Sequence, residues 1–347
     1  MFKKLISWSK DQYSHLPWRT ERSVYRTLVS EIMLQQTTVG TVLNHFEKFI
    51  KVYPDIKTLA ESSEEKILIV WKGLGYYRRA KNLRHIAIEI QKIFKGVIPS
   101  TERDLLSLKG VGIYTANALI AIGNNKPALA VDANLERVLA RYYGYTEIKG
   151  PKLQKKILED FIEKKILADE MEKLSPREFN EALMDLGRVL CQKKKTWCHI
   201  CLLSKSCIAF QSRQPLSYPR ENLAQKKEVF ELELLRVVVK EKNKILVYQK
   251  NENEWLAGQW ELPTFILHSN DASLKQYPKV PCTKIFSAAL SIKTSITKYT
   301  ITNRLVEMDL ATFKQLSKNT AIEYQFKTQN EKLNLSTASI KVLKKII

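Results

Sequence analysis

The chain has 347 residues, of which 44% are hydrophobic and 27% charged, a composition typical of a folded protein and not of a disordered one. Its length favours two domains over one. Lys and Arg outnumber Asp and Glu by 57 to 36, and the formal net charge of +21 favours polyanionic partners, although a lysine-rich surface that serves solubility has the same excess. The sequence has no signal-peptide pattern and no run of about eighteen apolar residues, so we expect a soluble, unexported protein that does not bind membranes.

The periodicity of apolar residues changes near the middle of the chain. Up to about residue 210, apolar residues recur three and four apart, as in YRTLVSEIML, which predicts an all-α domain over 1–210. Residues 211–229 are polar and carry two prolines, as an exposed linker would. From 230 to 347, alternating stretches such as ELELLRVVVK and SITKYTITNRLVEM flank a helical stretch near ATFKQLSK, which predicts an α+β domain.

Four of the five cysteines lie close together, in the spacing C-x6-C-x2-C-x5-C; they are Cys191, Cys198, Cys201 and Cys207. Four thiolates so near in sequence can converge on one zinc ion or one iron–sulfur cubane. Zinc sites usually combine two close pairs, whereas here single cysteines flank one close pair, which favours [4Fe-4S]. Four buried thiols without a metal are disfavoured because three lysines, 193–195, stand beside them. Cys282 stands apart.

A glycine-rich hairpin occurs in LKGVGIYTANAL, residues 108–119. Gly110 and Gly112 allow positive φ and close backbone approach, so the hairpin amides could meet a phosphate group, although most such glycine pairs are plain turns. Twenty residues after Gly112, Asp132 begins a predicted helix in ALAVDANLERVLARYYG. The ordinary interpretation of Asp132 is a helix N-cap.

In this order, the hairpin, Asp132 and the cysteine loop resemble the helix-hairpin-helix glycosylases of base-excision repair. Six segments resemble the adenine DNA glycosylases of the MutY type, which remove adenine mispaired with 8-oxoguanine or guanine: LPWR, SEIMLQQTTV, WKGLGYYRRAKNL, GVGIYTA, VDANLERVLAR and FNEALMDLG. The resemblance implies a multidomain α and α+β protein. Its all-α helix-hairpin-helix domain would carry a [4Fe-4S] loop at 191–207, and a Nudix-like α+β domain would follow over 230–347.

The same resemblance implies a monomer whose partner is double-stranded DNA containing the mispair. The expected compartment is cytoplasmic, with association with the nucleoid in a bacterium, or nuclear or mitochondrial in a eukaryote.

Cleavage of an N-glycosidic bond needs a proton donor at the base and negative charge near the sugar. By the resemblance, Glu31 protonates adenine at N7 and then assists water, which requires a pKa raised by burial; a solvated helix carboxylate is the alternative. Asp132 stays ionised and stabilises the cationic sugar, with Asn134 in its network. Tyr114 stands where bifunctional relatives such as endonuclease III place a Schiff-base lysine, which implies a monofunctional enzyme.

An enzyme that acts on a base in duplex DNA must flip that base out and fill the gap. By the resemblance, Gln36 and Tyr76 are the inserted residues, although Tyr76 could pack in the core, as we expect of Tyr77. The residues that resemble the lining of the adenine pocket are Trp18, Arg19, Leu34 and Glu181.

The second half of the chain carries the segment ENEWLAGQWELP, which resembles the Nudix-like domain of the same family, but it lacks the clustered glutamates of a Nudix box. Without them the domain would recognise damage and not bind catalytic magnesium. Relatives place Phe-Ser-His where this chain has Ile296, Thr297 and Lys298, so discrimination of 8-oxoguanine from guanine is expected to be relaxed. Two other readings remain at this point: a thymine–guanine mismatch glycosylase and a DNA-binding module without catalysis.

Overall fold

The computed structural model describes residues 1–165, 173–221, 228–280, 290–328 and 333–346. The chain divides into a helical unit, Met1–Leu223, and a second unit, Ala224–Ile347. Cys282 lies outside the described residues. Among the helices that are described, none is long and apolar enough to cross a membrane.

The helical unit contains the all-α domain that the periodicity predicts. Its α-helices are α1 (Phe2–Tyr13), α2 (Pro17–Thr20), α3 (Val24–Leu34), α4 (Val39–Val52), α5 (Ile56–Ala60), α6 (Glu64–Val70), α7 (Arg78–Phe94), α8 (Glu102–Ser107), α9 (Ile113–Ala118), α10 (Ala133–Tyr143), α11 (Pro151–Glu163), α12 (Pro176–Val189) and α13 (Ile208–Gln211). A π-helical segment, Leu119–Gly123, continues α9.

Polar caps set where the helices around the site begin. The Ser23 side chain accepts a hydrogen bond from the amide of Arg26 and so starts α3, and the Ser175 side chain accepts from the amide of Glu178 and starts α12. Each bond satisfies an amide that has no partner inside its helix. Apolar faces of α1, α10 and α12 then pack into one core that includes Leu5, Leu135 and Leu183. This core positions the helices that carry the candidate site.

Residues 211–221, predicted as the first half of the linker, lie in the helical unit. A 3-10 turn, Pro215–Ser217, follows α13. The amide of Lys149 donates to the carbonyl of Arg220 at 3.0 Å, and the amide of Arg220 donates to the carbonyl of Glu147 at 3.1 Å. Long-range backbone pairing thus holds a polar, proline-containing segment to the helical unit, which local composition does not reveal. The chain divides after Leu223.

The second unit is α+β, as the alternating pattern predicts. Its strands are β1 (Phe230–Val238), β2 (Lys240–Glu241), β3 (Lys244–Gln249), β4 (Trp260–Glu261), β5 (Thr264–Ser269), β6 (Leu290–Ile296), β7 (Tyr299–Glu307) and β8 (Gln325–Thr328), and its helices are α14 (Leu310–Ser317) and α15 (Thr337–Ile346). One sheet has the order β5-β1-β7-β6, with β1 and β7 parallel; the other joins β2, β3 and β4, and β8 pairs with β3.

Candidate active site

A cavity of about 900 Å³ opens in the helical unit. Its walls come from α2, α3 and the loop after α3, α9, the start of α10, and α12. Many of the side chains that the sequence singles out line it: Trp18, Arg19, Glu31, Leu34, Gln36, Tyr114, Asp132, Asn134 and Glu181. The fold therefore gathers into one space residues that lie up to 163 positions apart in the chain.

Glu31 lies in the last turn of α3 and is only 6% exposed. The hydroxyl of Tyr114, from the first turn of α9, donates a hydrogen bond to its Oε2. Burial raises the pKa of Glu31 to about 7; the charges of Asp132 and Glu181 add to this, while the Tyr114 hydrogen bond and Arg19 oppose it. A carboxyl group with such a pKa can both donate and accept a proton near neutral pH.

Asp132 is the N-cap of α10, as its ordinary interpretation states, and it also lines the cavity. Its Oδ1 accepts hydrogen bonds from the amides of Asn134 (2.9 Å) and Leu135 (2.7 Å), and its Oδ2 accepts from the side-chain amide of Asn134 at 2.8 Å. Burial raises the pKa of Asp132, while these hydrogen bonds and Arg137 favour its charged form. These hydrogen bonds hold the Asp132 carboxylate in one orientation.

An ionic network forms part of the cavity wall, to which it contributes Arg19, Glu181 and Asp185. Glu181 accepts a bidentate hydrogen bond from Arg22, at 2.7 and 3.0 Å, and lies 3.5 Å from Nε of Arg19. Arg19 in turn donates to Asp185 at 2.8 Å, and the Ser9 hydroxyl donates to the same oxygen at 2.6 Å. Arg19, Glu181 and Asp185 are each less than 10% exposed in their side chains, so these charges act on one another with little screening.

Two residues of this network, Arg22 and Asp185, were not predicted from the sequence. Asp185 stands four residues after Glu181 on α12, so the two carboxylates share one helix face. The position of Asp185 one turn after Glu181, a predicted pocket residue, was a signal that could have indicated it. Arg22 gives no comparable local signal, because its partner Glu181 is 159 positions away.

Trp18 and Leu34 are two of the apolar members of the cavity wall, which also include Leu16, Val131 and Met184. Trp18 is 9% exposed and packs edge-on against Phe46, with ring centroids 5.5 Å apart. Leu34 is the half-buried last residue of α3. Both residues line the cavity, and the Trp18 indole is a planar apolar group of the kind on which a base can stack.

The glycine hairpin joins α8 to α9, and its two glycines differ. Gly110 has φ +97°, and a Cβ there would stand 1.9 Å from Oδ1 of Asn82, whose side-chain amide donates to the Gly110 carbonyl at 3.2 Å. Gly112 has φ −94° and is the N-cap of α9, so Gly110 adopts the positive φ that glycine allows and Gly112 does not. Nothing lies within 4 Å of a Cβ built on Gly112, which leaves its backbone open.

Gln36 and Tyr76 are both exposed, in two different loops. Gln36 has φ 55° and Tyr76 has φ 47°, and 59% of Tyr76 is accessible. Left-handed backbone is uncommon for residues with side chains and marks positions that their surroundings hold in place. Tyr77 is buried, as predicted.

The four cysteines occur in one loop after α12, and all are half-buried free thiols. Burial raises the pKa of Cys201 to about 11, and the nearby Cys191, Cys207 and Cys198 add to this. No three His, Cys, Asp or Glu side chains of the described residues are grouped so as to hold a single metal ion. The neighbouring lysines, 193–195, are exposed, as predicted.

Arg137 connects this loop to the cavity. Its Nη2 donates to Oδ1 of Asn134 at 2.9 Å, and its Nε donates to the carbonyl of Cys191 at 2.8 Å. Arg141, one turn later on α10, donates to Sγ of Cys191 at 3.2 Å. The loop is thus bonded to the helix that Asp132 starts.

Thr297 and Lys298 lie in the second unit, at the tip of the β6–β7 hairpin, and Thr297 has φ 51°. The ammonium of Lys298 lies 4.2 Å from the ring centroid of Phe230 and 3.7 Å from Oδ2 of Asp271. Trp255 and Tyr299 line a cavity of about 350 Å³ beside them. The hairpin tip is therefore a defined surface with aromatic rings and a partly paired cation.

Comparisons with known proteins show which family this chain is similar to. The family model described as "HhH-GPD superfamily base excision DNA repair protein" matches residues 29–164, which include Glu31, the glycine hairpin and Asp132. Of the solved structures, a thermostable thymine-DNA glycosylase is 28% identical with a TM-score of 0.52, and the match covers 61% of this chain and 95% of that one.

Two curated relatives extend the match to most of the chain. The adenine DNA glycosylase of Buchnera aphidicola subsp. Acyrthosiphon pisum is 36% identical over 261 residues, 73% of this chain and 71% of its own length. That of Buchnera aphidicola subsp. Schizaphis graminum is 31% identical over 323 residues, 91% of this chain and 90% of its own length. The chain therefore belongs to the adenine DNA glycosylase family of the helix-hairpin-helix superfamily.

Proposed function

We propose that this chain is a monofunctional DNA glycosylase that hydrolytically excises adenine mispaired with 8-oxoguanine or guanine in base-excision repair. The observation that carries the proposal is the pair of carboxylates in one cavity: Glu31, buried and hydrogen-bonded to Tyr114, and Asp132, held by three hydrogen bonds. The curated relatives are named adenine DNA glycosylases, so family membership indicates that adenine is the base that leaves.

The first step is protonation of the base. The protonated Glu31 donates its proton to N7 of adenine, and the protonated base then takes the electron pair of the bond between C1′ and N9 and leaves as neutral adenine. The raised pKa of Glu31 keeps a large fraction of the carboxyl groups protonated at neutral pH. Trp18 and Leu34 would stack on the base, while Arg19 and Glu181 would hydrogen-bond to its edge.

The second step is stabilisation and capture of the sugar cation. Asp132 would hold its negative charge against the oxocarbenium ion, and its hydrogen bonds from Asn134 and Leu135 favour that charged form. Water then attacks C1′, and the Glu31 carboxylate, having lost its proton to the base, accepts the proton of the water. The products are free adenine and an abasic site.

Tyr114 argues for a monofunctional reaction. A phenol cannot form a Schiff base with the sugar, and the described residues that line the cavity include no lysine. The Tyr114 hydroxyl instead donates to Glu31, which holds the catalytic carboxyl in position. The enzyme would therefore leave the DNA strand intact at the abasic site.

Access to adenine requires that the duplex be opened. We propose that Gln36 and Tyr76 insert into the helix where the base leaves, because both are exposed and held in left-handed backbone. The open backbone at Gly112, with Gly110 shaping the turn, would let hairpin amides approach a DNA phosphate.

The cysteine loop fits a [4Fe-4S] cluster by its donor chemistry. Four half-buried thiols, Cys191, Cys198, Cys201 and Cys207, lie in one loop, and a cubane holds its thiolates farther apart than a single zinc ion does. Bound there, the cluster would supply a structural crosslink. The bonds of Arg137 to Cys191 and Asn134 would carry that rigidity to the start of α10, and lysines 193–195 would present positive charge to DNA.

The second unit would act as a Nudix-like recognition domain without hydrolytic activity. Glu261, in the segment that resembles the Nudix-like domain, is buried and ion-paired with Arg236 at 2.6 Å and with Lys250 at 2.9 Å, so it is not free to bind a metal. Thr297 and Lys298 at the hairpin tip would contact the base opposite adenine. Because Lys298 also contacts Phe230 and Asp271, we expect weak discrimination between 8-oxoguanine and guanine.

A gel assay tests the proposal. Labelled duplexes containing A opposite 8-oxoguanine, A opposite G, or T opposite G are incubated with the protein and then treated with alkali. Alkali-dependent cleavage of both adenine strands is expected. Cleavage of only the thymine strand would refute adenine as the substrate, and strand scission without alkali would refute the monofunctional reaction.

A further inference from the structure

One buried arginine contacts both of the loops that carry the exposed left-handed residues. Arg79 lies in the first turn of α7 and is 9% exposed. Six oxygen atoms of the described residues accept hydrogen bonds from its Nη1 and Nη2, and all six are uncharged. The two nitrogens carry four protons, so some of these bonds are shared.

The first set of acceptors surrounds Gln36. Nη1 donates to the carbonyls of Ile32 (3.1 Å), Met33 (2.7 Å) and Gln35, and Nη2 donates to Oγ1 of Thr37 at 2.9 Å. The residues directly before and after Gln36 are thus both bonded to one guanidinium. The end of α3 and the loop after it cannot shift without breaking these bonds.

The second set of acceptors directly precedes Tyr76. Nη2 donates to the carbonyls of Leu74 and Gly75, both at 3.1 Å. The guanidinium also lies 5.4 Å from the ring centroid of Tyr76 and 5.6 Å from that of Trp71. Trp71 donates its indole N–H to the Gly75 carbonyl at 3.1 Å, so the loop is held from two sides.

The chemistry of the group explains why it is arginine. A planar guanidinium presents donors along several edges at once, whereas an ammonium is a point charge that cannot reach acceptors on two loops in fixed directions. Left-handed backbone at Gln36 and Tyr76 costs free energy, and surrounding contacts must compensate. Arg79 supplies such contacts to both loops from a single group.

We propose that Arg79 is a positioning residue for base flipping, which sets the spacing of Gln36 and Tyr76 so that the two side chains enter the duplex as one unit. The inference rests on the proposed function, because it assumes that these two residues insert into DNA. Its distinctive consequence is energetic coupling between two loops that Arg79 bridges.

The test measures unstacking of 2-aminopurine placed at the target position opposite 8-oxoguanine, together with single-turnover excision of adenine from the matching duplex. Arg79→Lys is expected to slow unstacking and excision at least about tenfold, a typical size for the loss of coupled contacts. Arg84→Lys is the matched control, because Arg84 lies on the same helix and donates to the Ser62 carbonyl at 2.6 Å, away from both loops. It should behave as the wild type.

Double-variant cycles distinguish positioning from a general loss of stability. If Arg79 acts through the inserted residues, Tyr76→Ala should slow unstacking much less in the Arg79→Lys protein than in the wild type. Independent, additive effects on unstacking, or wild-type unstacking by Arg79→Lys, would overturn the proposal.

Thr37→Val keeps the test decisive if Arg79→Lys does not fold. It removes one acceptor in the Gln36 loop, and coupling between Thr37→Val and Tyr76→Ala, which lie on different loops, is expected only if Arg79 links them. Additivity of this pair would overturn the proposal. Failure of the wild type itself to unstack or excise the target base would instead refute the proposed function.

Discussion

Replacing Glu31 by Gln should separate the stability of the helical unit from its activity. Glu31 is 6% exposed, and its pKa rises from 4.5 to about 7. Between these values the folded chain keeps a proton that the unfolded chain has lost, so the free energy of unfolding falls as the pH rises and is lowest above pH 7. A difference of about 2.5 in pKa corresponds to about 3 kcal/mol.

Glu31→Gln removes this penalty because the amide is uncharged at any pH and retains an oxygen that can accept from Tyr114. Urea titrations followed by circular dichroism give the free energy of unfolding of both proteins. The difference between them, variant minus wild type, should grow by about 2–3 kcal/mol from pH 5 to pH 8. The control is Glu163→Gln, which changes an exposed carboxylate and should show no such gain. An equal stability difference at both pH values for Glu31→Gln would refute burial as the cause of the raised pKa.

Further predictions concern the charges, the hairpin, the cluster and DNA binding. Asp185→Asn removes a negative charge that partly neutralises Arg19, so Arg19 should lower the pKa of Glu31 further. The fall of kcat/KM at high pH should then occur at a lower pH than in the wild type. An unchanged pH profile would contradict the network. Gly110→Ala should destabilise by about 1–3 kcal/mol on thermal unfolding, because of its φ and the Asn82 contact, while Gly112→Ala should leave stability nearly unchanged and weaken DNA binding. Cys201→Ser should remove a broad absorption band in the blue; an unchanged spectrum would argue against the cluster. Plots of log affinity for DNA against log salt should be steep, and a flat response would contradict phosphate contacts.

Local sequence patterns were sufficient to predict the helical domain and the α+β domain, and part of the cavity lining. Helical periodicity and cap residues act over a few positions, so α3 and α10 could be placed, and with them Glu31 and Asp132. The resemblance to the family then supplied Trp18, Tyr114 and other members that are distant in sequence. All of these line one cavity.

The remainder depends on partners that are far apart in the chain. The pairing of Arg22 with Glu181 and the contacts of Arg79 with two loops follow from packing, which no short segment encodes. The sequence does not decide the φ of Gly112, because glycine permits positive φ without requiring it. The early part of the predicted linker is polar, yet it is bonded to residues near 148.

The most direct test of the central claim is to identify the base that is released. Duplex DNA with A opposite 8-oxoguanine is incubated with wild-type protein or with Glu31→Gln, and the free bases are separated by chromatography, while binding of the same duplex is measured in parallel. We predict free adenine from the wild type, at least about a hundredfold less from Glu31→Gln, and similar binding by both. Unchanged adenine release by Glu31→Gln, or no adenine from the wild type, would contradict the account.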